Sequence, residues 1–264
     1  MRKISLAFCM ILMISCKTNS EKNNIKTDLK MKDSNKQLII DFYFKVFGQV
    51  NEQFADSVIA DNYIQHNPMV KTGKTGFMEF LAMLKQMPKP ENPKKPFMRF
   101  ISEGNFVAVH SQIEFMGKEN AVVDLYRIEN GLISEHWDAS QEIVDSIPKV
   151  AGTVEFDSQE KSSVNKKIVA DFVKQVMIEK QINRTKDYLA DKLTISDFRM
   201  DYENFQLHRL IGEENFVLTQ SEINVKGTQF VRYDIYRLAN QLIVEHWTVK
   251  QIIPEKMVHP NGMI

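Results

Sequence analysis

Asp124-Leu-Tyr-Arg-Ile-Glu-Asn-Gly-Leu-Ile-Ser-Glu-His-Trp-Asp138 returns 110 positions later as Asp234-Ile-Tyr-Arg-Leu-Ala-Asn-Gln-Leu-Ile-Val-Glu-His-Trp-Thr248. The correspondence runs without a gap back to Asn105 against Asn215 and forward to Gln141 against Gln251, which is too long for chance. Upstream the offset grows to 130, with Asp41 and Phe42 meeting Asp171 and Phe172, and Ala60 and Asp61 meeting Ala190 and Asp191. The second copy has therefore lost about twenty residues, from the stretch that corresponds to Met69 through Asn105. A period above 100 residues marks two domains and not a stack of short repeats.

The order of elements within a copy sets the fold class. Leu38 to Phe47 carries apolar residues at helical spacing, Gln53 to Ile59 opens a second helical turn, and Gly76 to Gln86 gives a third, ahead of a Pro/Lys-rich loop from Pro88 to Pro96. Phe106 to Phe115 and Val122 to Ile128 alternate with β-branched and aromatic residues, and Glu129-Asn130-Gly131 turns the chain into Leu132 to Asp138. Helices followed by an antiparallel meander predict an α+β fold. Two tandem cone-shaped domains are expected, each with N-terminal helices packed on a curved antiparallel sheet, at residues 37–145 and 166–264 with a linker at 146–165.

Composition narrows the partners. Lys+Arg and Asp+Glu both number 34, so no basic field exists to collect phosphates and nucleic acid is not an expected partner. Arg2 and Lys3 precede an apolar run from Ile4 to Ile14, too short to span a membrane, and Ser15-Cys16 follows. The segment Leu12 to Cys16 resembles a bacterial lipoprotein signal, with Met13 where leucine is usual. Residues 1–15 then read as a cleaved signal peptide, Cys16 as the lipidation site and 16–36 as a flexible tether. The expected location is the bacterial cell envelope, with the membrane reached through the lipid anchor. The only other cysteine, Cys9, lies inside the apolar run, so the mature body would have no disulfide and would rest on core burial.

Strand alternation supplies candidate site residues. Residues of equal parity in a strand share a face, which groups His136 with Asp138, Asp124 with Tyr126, and Phe106, Ala108, His110 and Gln112 together. Two readings are open at this level. The polar set lines a cavity under the helices, or it is the solvated face and Val107, Val109, Ile113, Phe115, Ile133 and Trp137 form the core.

Tyr63-Ile-Gln-His-Asn-Pro68, the hairpin from Asp124 to Gly131, and Glu135-His-Trp-Asp138 together resemble the SnoaL-like polyketide cyclase family, over nearly all of Leu38 to Val144. The resemblance implies a nuclear-transport-factor-2-like fold whose concave sheet face lines a pocket for a small apolar or carbonyl compound. It implies a metal-free, cofactor-free aldol cyclisation, with Asp138 at the acid/base position and Tyr63, His66, His110, Asp124, Tyr126 and His136 around the substrate. Copy two departs from it: Thr248 stands for Asp138, Ser196 for His66, Leu193 for Tyr63 and Gln220 for His110. Catalysis is accordingly expected in the first copy alone, with the second as structural partner in an internal pseudo-dimer packed through Val109, Phe115, Trp137 and Trp247. The other function that fits is a lipid-anchored module that binds or scaffolds a small apolar ligand without turning it over. A phosphate loop is excluded, because Gly73-Lys74-Thr75 has Pro68 where that loop needs glycine.

Overall fold

The computed structural model describes residues 31–87, 96–115, 117–144 and 150–264. The expected signal peptide, Cys16 and most of the tether lie outside the described residues. The last part of the tether does not: helix α1 covers 31–42, so 31–36 are helical where a loose segment was expected. Lys32 and Lys36 on that turn pair with Glu213 of the second copy at 2.7 and 2.9 Å.

Helix α1 runs into a π-helical turn, Tyr43–Phe47, and buries Ile39, Phe42 and Val46 as one stripe. Asn51 caps α2 (Glu52–Val58) by accepting from the Phe54 N–H at 2.9 Å. Strand β1 (Ile59–Gln65), helix α3 (Gly73–Gln86) and strands β2 (Phe97–Glu103), β3 (Phe106–Phe115), β4 (Lys118–Glu129) and β5 (Leu132–Glu142) follow. The sheet order is β1-β5-β4-β3-β2, with β1 parallel to β5 and the other pairs antiparallel. Alternation does not announce β1 or β2, because β1 interrupts its apolar residues with Asp61-Asn62 and crosses a register shift against β5. The β4–β5 turn has Asn130 and Gly131 both at positive φ, 53° and 77°, as a two-residue hairpin requires.

The second copy repeats this with fewer parts. Helix α4 (Ser162–Phe172) and its π-helical turn (Val173–Ile178) precede two short 3-10 turns and a four-stranded sheet, β6 (Asn204–Glu213), β7 (Phe216–Val225), β8 (Thr228–Ala239) and β9 (Leu242–Ile252). A helix corresponding to α3 is missing from it among the described residues. A single parallel bridge, Leu189 to Ile243, stands where β1 and β5 pair through Ile59 and Ile133 in the first copy. The linker is shorter than expected, since α4 starts at Ser162, and its described part is packed: Val150 is buried and the Thr153 carbonyl accepts from Arg99 at 2.9 Å.

Register decides which residues share a face. Val109 lies opposite Asp124, which lies opposite Asp138, while Val107 aligns with Tyr126 and His136. The helices therefore cover Val107, Val109, Asp124, Tyr126, His136 and Asp138. Ala108, His110, Leu125 and Trp137 face the other way. This corrects two sequence expectations. His110 and Ala108 do not share a face with Asp138, because parity orders residues within a strand but cannot say which parity of the next strand lies alongside. Val109 belongs to the core beneath the helices and Phe115 is exposed near a strand end, so neither joins the contact between copies.

That contact is made by the opposite sheet faces. Trp137 and Trp247 enter one buried cluster with Ile101, Leu125, Leu218 and Ile235. The links come in reciprocal pairs 110 residues apart. The Arg99 guanidinium sits 4.0 Å over the Trp247 ring and that of Arg209 4.2 Å over Trp137. The Ser102 N–H donates to Glu213 at 2.7 Å and the Gly212 N–H to Glu103 at 2.8 Å. The Ser140 N–H donates to Gln251 at 2.7 Å and the Lys250 N–H to Gln141 at 3.0 Å. Such reciprocity, in which residue i meets j and j meets i, is the mark of a two-fold arrangement.

Candidate active site

The site is assembled where β1 ends beside β5 and β4. His136 projects from β5 toward the helices, stacked on Tyr126 at 4.5 Å between ring centres. Its Nε2 meets Asp124 Oδ1 at 2.9 Å and its Nδ1 meets Gln65 Oε1 at 3.0 Å. The Gln65 amide cannot be turned round, since the same oxygen accepts from the His66 and Asn67 backbone N–H groups, each at 2.9 Å. Both ring nitrogens therefore face acceptors, which is complete only for an imidazolium. Burial opposes that charge, but the hydrogen bond to Asp124 and the charges of Asp124 and Asp138 outweigh it and raise the His136 pKa above its ordinary value.

Asp138 lies beside this cation in a different state. Its Oδ2 accepts from Asn67 Nδ2 at 2.6 Å, while Oδ1 is buried with no hydrogen-bond partner among the described residues. Burial is the largest influence and lifts its pKa to about 6; His136 and Asn67 pull it down and Asp124 pushes it up. Asp124 takes a further hydrogen bond from Tyr43 Oη at 2.5 Å. Tyr43, Tyr63 and Tyr126 are all held as phenols, burial being the main cause in each. Phe42, Phe77 and Phe100 complete a largely aromatic surround. The result is a carboxylate of nearly neutral pKa beside a fixed cation–carboxylate pair, a combination suited to taking and returning a proton. Asp124, His136 and Asp138 also bring one ligand atom each within 4.8 Å of one another, a spacing that can hold a cation. The hydrogen bonds that engage both nitrogens of His136 favour the proton-transfer use.

Residues 40–136 match the model of the SnoaL-like domain. The first copy is a SnoaL-like domain. Comparison with curated proteins returns no match. Similar solved structures include TsrD from Streptomyces laurentii, 18% identical over 41% of this chain and 89% of its own, with a TM-score of 0.35. A nuclear-transport-factor-2-like protein of unknown function from Cytophaga hutchinsonii is 21% identical over 40% of this chain and 89% of its own, with a TM-score of 0.33. IdmH from Streptomyces antibioticus is 18% identical over 40% and 91%, with a TM-score of 0.32.

Within the SnoaL-like domain, Asp124, Tyr126, His136 and Asp138 come together as one cluster, and Tyr63 touches it through Gln65, whose amide donates to the Tyr63 hydroxyl at 3.1 Å. His66 and His110 do not join. His66 stacks on Trp137 at 4.7 Å, with Nε2 at 2.8 Å from Glu135 and Nδ1 at 2.9 Å from the Gly262 carbonyl. His110 is buried on the far face, where its Nδ1 accepts from Arg99 at 2.8 Å, and burial with that guanidinium holds its pKa well below the ordinary value. The residues that sequence reasoning did not assign are Tyr43, Gln65 and Asn67. Gln65 and Asn67 were visible inside the Tyr63 to Pro68 motif; Tyr43 carried no signal beyond a helical apolar stripe.

The corresponding place in the second copy is filled. Arg232, where the SnoaL-like domain has Val122, sends Nε and Nη2 to Asp234 at 2.7 and 2.8 Å, and His246 Nε2 meets the same carboxylate at 2.8 Å. Phe198 stacks on His246 at 4.3 Å. The space left there is a cavity of about 20 Å³ bordered by His110, His246, Trp247 and Thr248, the last standing where the first copy has Asp138, with room for about one water. Its size excludes a carbonyl substrate, so the chemistry of the Asp138 cluster outweighs the presence of that void.

Proposed function

We propose that the SnoaL-like domain is a cofactor-free acid/base enzyme acting next to a carbonyl group, in an aldol-type condensation or cyclisation, with Asp138 as the base. The observation that carries this reading is the unpartnered Asp138 Oδ1, on a carboxyl of pKa about 6, hydrogen-bonded by Asn67 and set beside the His136–Asp124 pair. The carboxylate takes a proton alpha to a carbonyl and the bonding pair becomes the enolate. The enolate carbon then forms a bond to a second carbonyl carbon, and the resulting alkoxide takes the proton back from Asp138. The His136 cation and the Tyr126 hydroxyl are the groups near enough to steady the negative charge. Solvent deuterium exchange at the α-carbon of a panel of 1,3-dicarbonyl compounds tests it. Exchange by wild type that disappears in Asp138→Asn is the expected result, and no exchange above the uncatalysed rate with any member that binds would overturn it.

The aromatic surround supports a second reading, a binding module for a small apolar ligand. In that case Asp138→Asn keeps affinity and no member of the panel exchanges.

We further propose that the chain is exported and anchored through Cys16, on the strength of Arg2, Lys3, the apolar run and Ser15-Cys16. Wild type is expected in the membrane fraction and Cys16→Ser in the soluble fraction; a membrane-bound serine variant would sink the anchor. One acyl chain binds only marginally, so the several chains of a lipoprotein are what make the shift large. The reciprocal Arg–Trp and Glu–amide pairs support reading 37–145 and 166–264 as the halves of an internal pseudo-dimer.

A further inference from the structure

The last residues of the second copy lie along the β1–α3 loop of the SnoaL-like domain. The Val258 N–H donates to the Pro68 carbonyl at 3.1 Å. His259 Nε2 donates to the Asn67 carbonyl at 2.8 Å, and its tautomer is fixed because Nδ1 accepts from the Asn261 N–H at 3.3 Å. Asn261 Nδ2 donates to the Gln65 carbonyl at 2.9 Å and to Thr72 Oγ1 at 3.0 Å. The Gly262 carbonyl meets His66 Nδ1 at 2.9 Å. Met263 is 2% exposed and belongs to the cluster between the copies, which pins the end of the segment.

The backbone gripped in this way is that of Gln65 and Asn67, and their side chains are the ones that hold His136 and Asp138. We infer that the C-terminal strap, through His259 and Asn261, is a positioning element for the first-copy site. The degenerate second copy thereby contributes to that site without entering it. Without the strap the loop keeps its own bonds, Met69 N–H to Asn67 Oδ1 at 2.9 Å and Val70 N–H to the Asn67 carbonyl at 3.2 Å, but loses those that tie it to the rest of the protein through His259 and Asn261. A shift of a fraction of an ångström is enough to weaken the 2.6 Å hydrogen bond on the base. The strap acts through Asn67 and never touches the reacting carboxyl, which is why nothing in the Asp138 motif reveals it.

The test uses the full chain and two readouts, of which the first needs no substrate. The ¹³C carboxyl resonance of Asp138 is followed against pH in wild type, in His259→Ala/Asn261→Ala, and in His259→Gln, which keeps an N–H donor near the Asn67 carbonyl. Asn67 holds the Asp138 pKa down, while His136, Asp124, Tyr63 and Tyr126 act on the same field and stay in place. The double variant is expected to titrate at least about threefold higher in proton affinity, half a unit in pKa, with His259→Gln close to wild type. An unchanged Asp138 titration in a folded double variant overturns the inference. If the double variant does not fold, Asn261→Ser, which removes only the longer reach to Gln65 and Thr72, is titrated in its place, and an unshifted Asp138 there overturns the inference equally. The second readout rests on the proposed reaction: kcat for α-proton exchange should fall about tenfold with KM little changed. A shifted titration with no exchange by any variant would count against the reaction and leave the strap's role standing.

Discussion

Arg232→Met is expected to cost the fold about 3–5 kcal/mol at neutral pH, because it strands a carboxylate that has no route to water. Arg232 and Asp234 are 1% and 0% exposed, and the guanidinium makes both of its forked hydrogen bonds to that carboxylate. It also satisfies the carbonyls of Phe198 and Arg199, at 2.7 and 3.1 Å, so its loss leaves acceptors unmet as well. Burial alone would push the Asp234 pKa up; Arg232 and His246 reverse that and hold it well below the carboxylate range. A depressed folded pKa contributes stability that is present above the unfolded value near 4 and is lost as pH falls through the folded one. In Arg232→Met the carboxylate is desolvated without its partner, its pKa rises above the unfolded value, and the penalty should shrink as pH falls from 7 to 4 and the group takes up a proton. Urea unfolding at pH 7 and pH 4 measures this. A loss under about 1 kcal/mol at pH 7 would mean that His246 alone can hold Asp234, and that the guanidinium is not what closes the second copy.

Asp138→Asn should lower turnover by about a hundredfold or more, the usual cost of removing a positioned acid/base group, and should at the same time stabilise the protein. The two effects share one cause. The Asp138 pKa is raised to about 6, so the folded state holds a proton more tightly than the unfolded chain does. The stability this contributes is complete below the unfolded pKa near 4 and is lost as pH rises through about 6. Above pH 7 the wild type carries an ionised carboxylate in a place that disfavours it, a cost of about 1–2 kcal/mol once partial exposure is allowed for. Asparagine removes that cost and can still accept from Asn67. Thermal midpoints should therefore rise in Asp138→Asn at pH 7.5 and change little at pH 4, and the acid limb of wild-type kcat/KM should fall off near pH 6. An equal midpoint shift at both pH values would show that packing, and not titration, lies behind the stabilisation. Turnover unchanged in the variant would remove Asp138 from the role of base.

What the chain carries in its local pattern was enough for the architecture. The duplication from Asp124 to Asp138 onto Asp234 to Thr248, the helical stripes and the Asn130-Gly131 turn each follow from spacing alone, and together they require two α+β units. The cluster of Asp124, Tyr126, His136 and Asp138 was legible only in part: parity groups Asp124 with Tyr126 and His136 with Asp138, but the register shift after Arg127 is what sets the two pairs opposite each other, since the two-residue turn alone would align Asp124 with Trp137. Tertiary structure decided the rest. His110 sits on β3, whose alignment with β4 is not visible from parity, and it turns to the second copy. Strand β1 pairs parallel with a strand just over 70 residues later, and that pairing brings Gln65 and Asn67 to His136 and Asp138. The strap from Val258 to Gly262 reaches the same loop across nearly 200 residues. Local sequence encodes elements and the faces within them, because those depend on backbone periods of 2 and 3.6 residues. Which element lies beside which depends on how the whole apolar surface is buried, and that no short stretch of the chain contains.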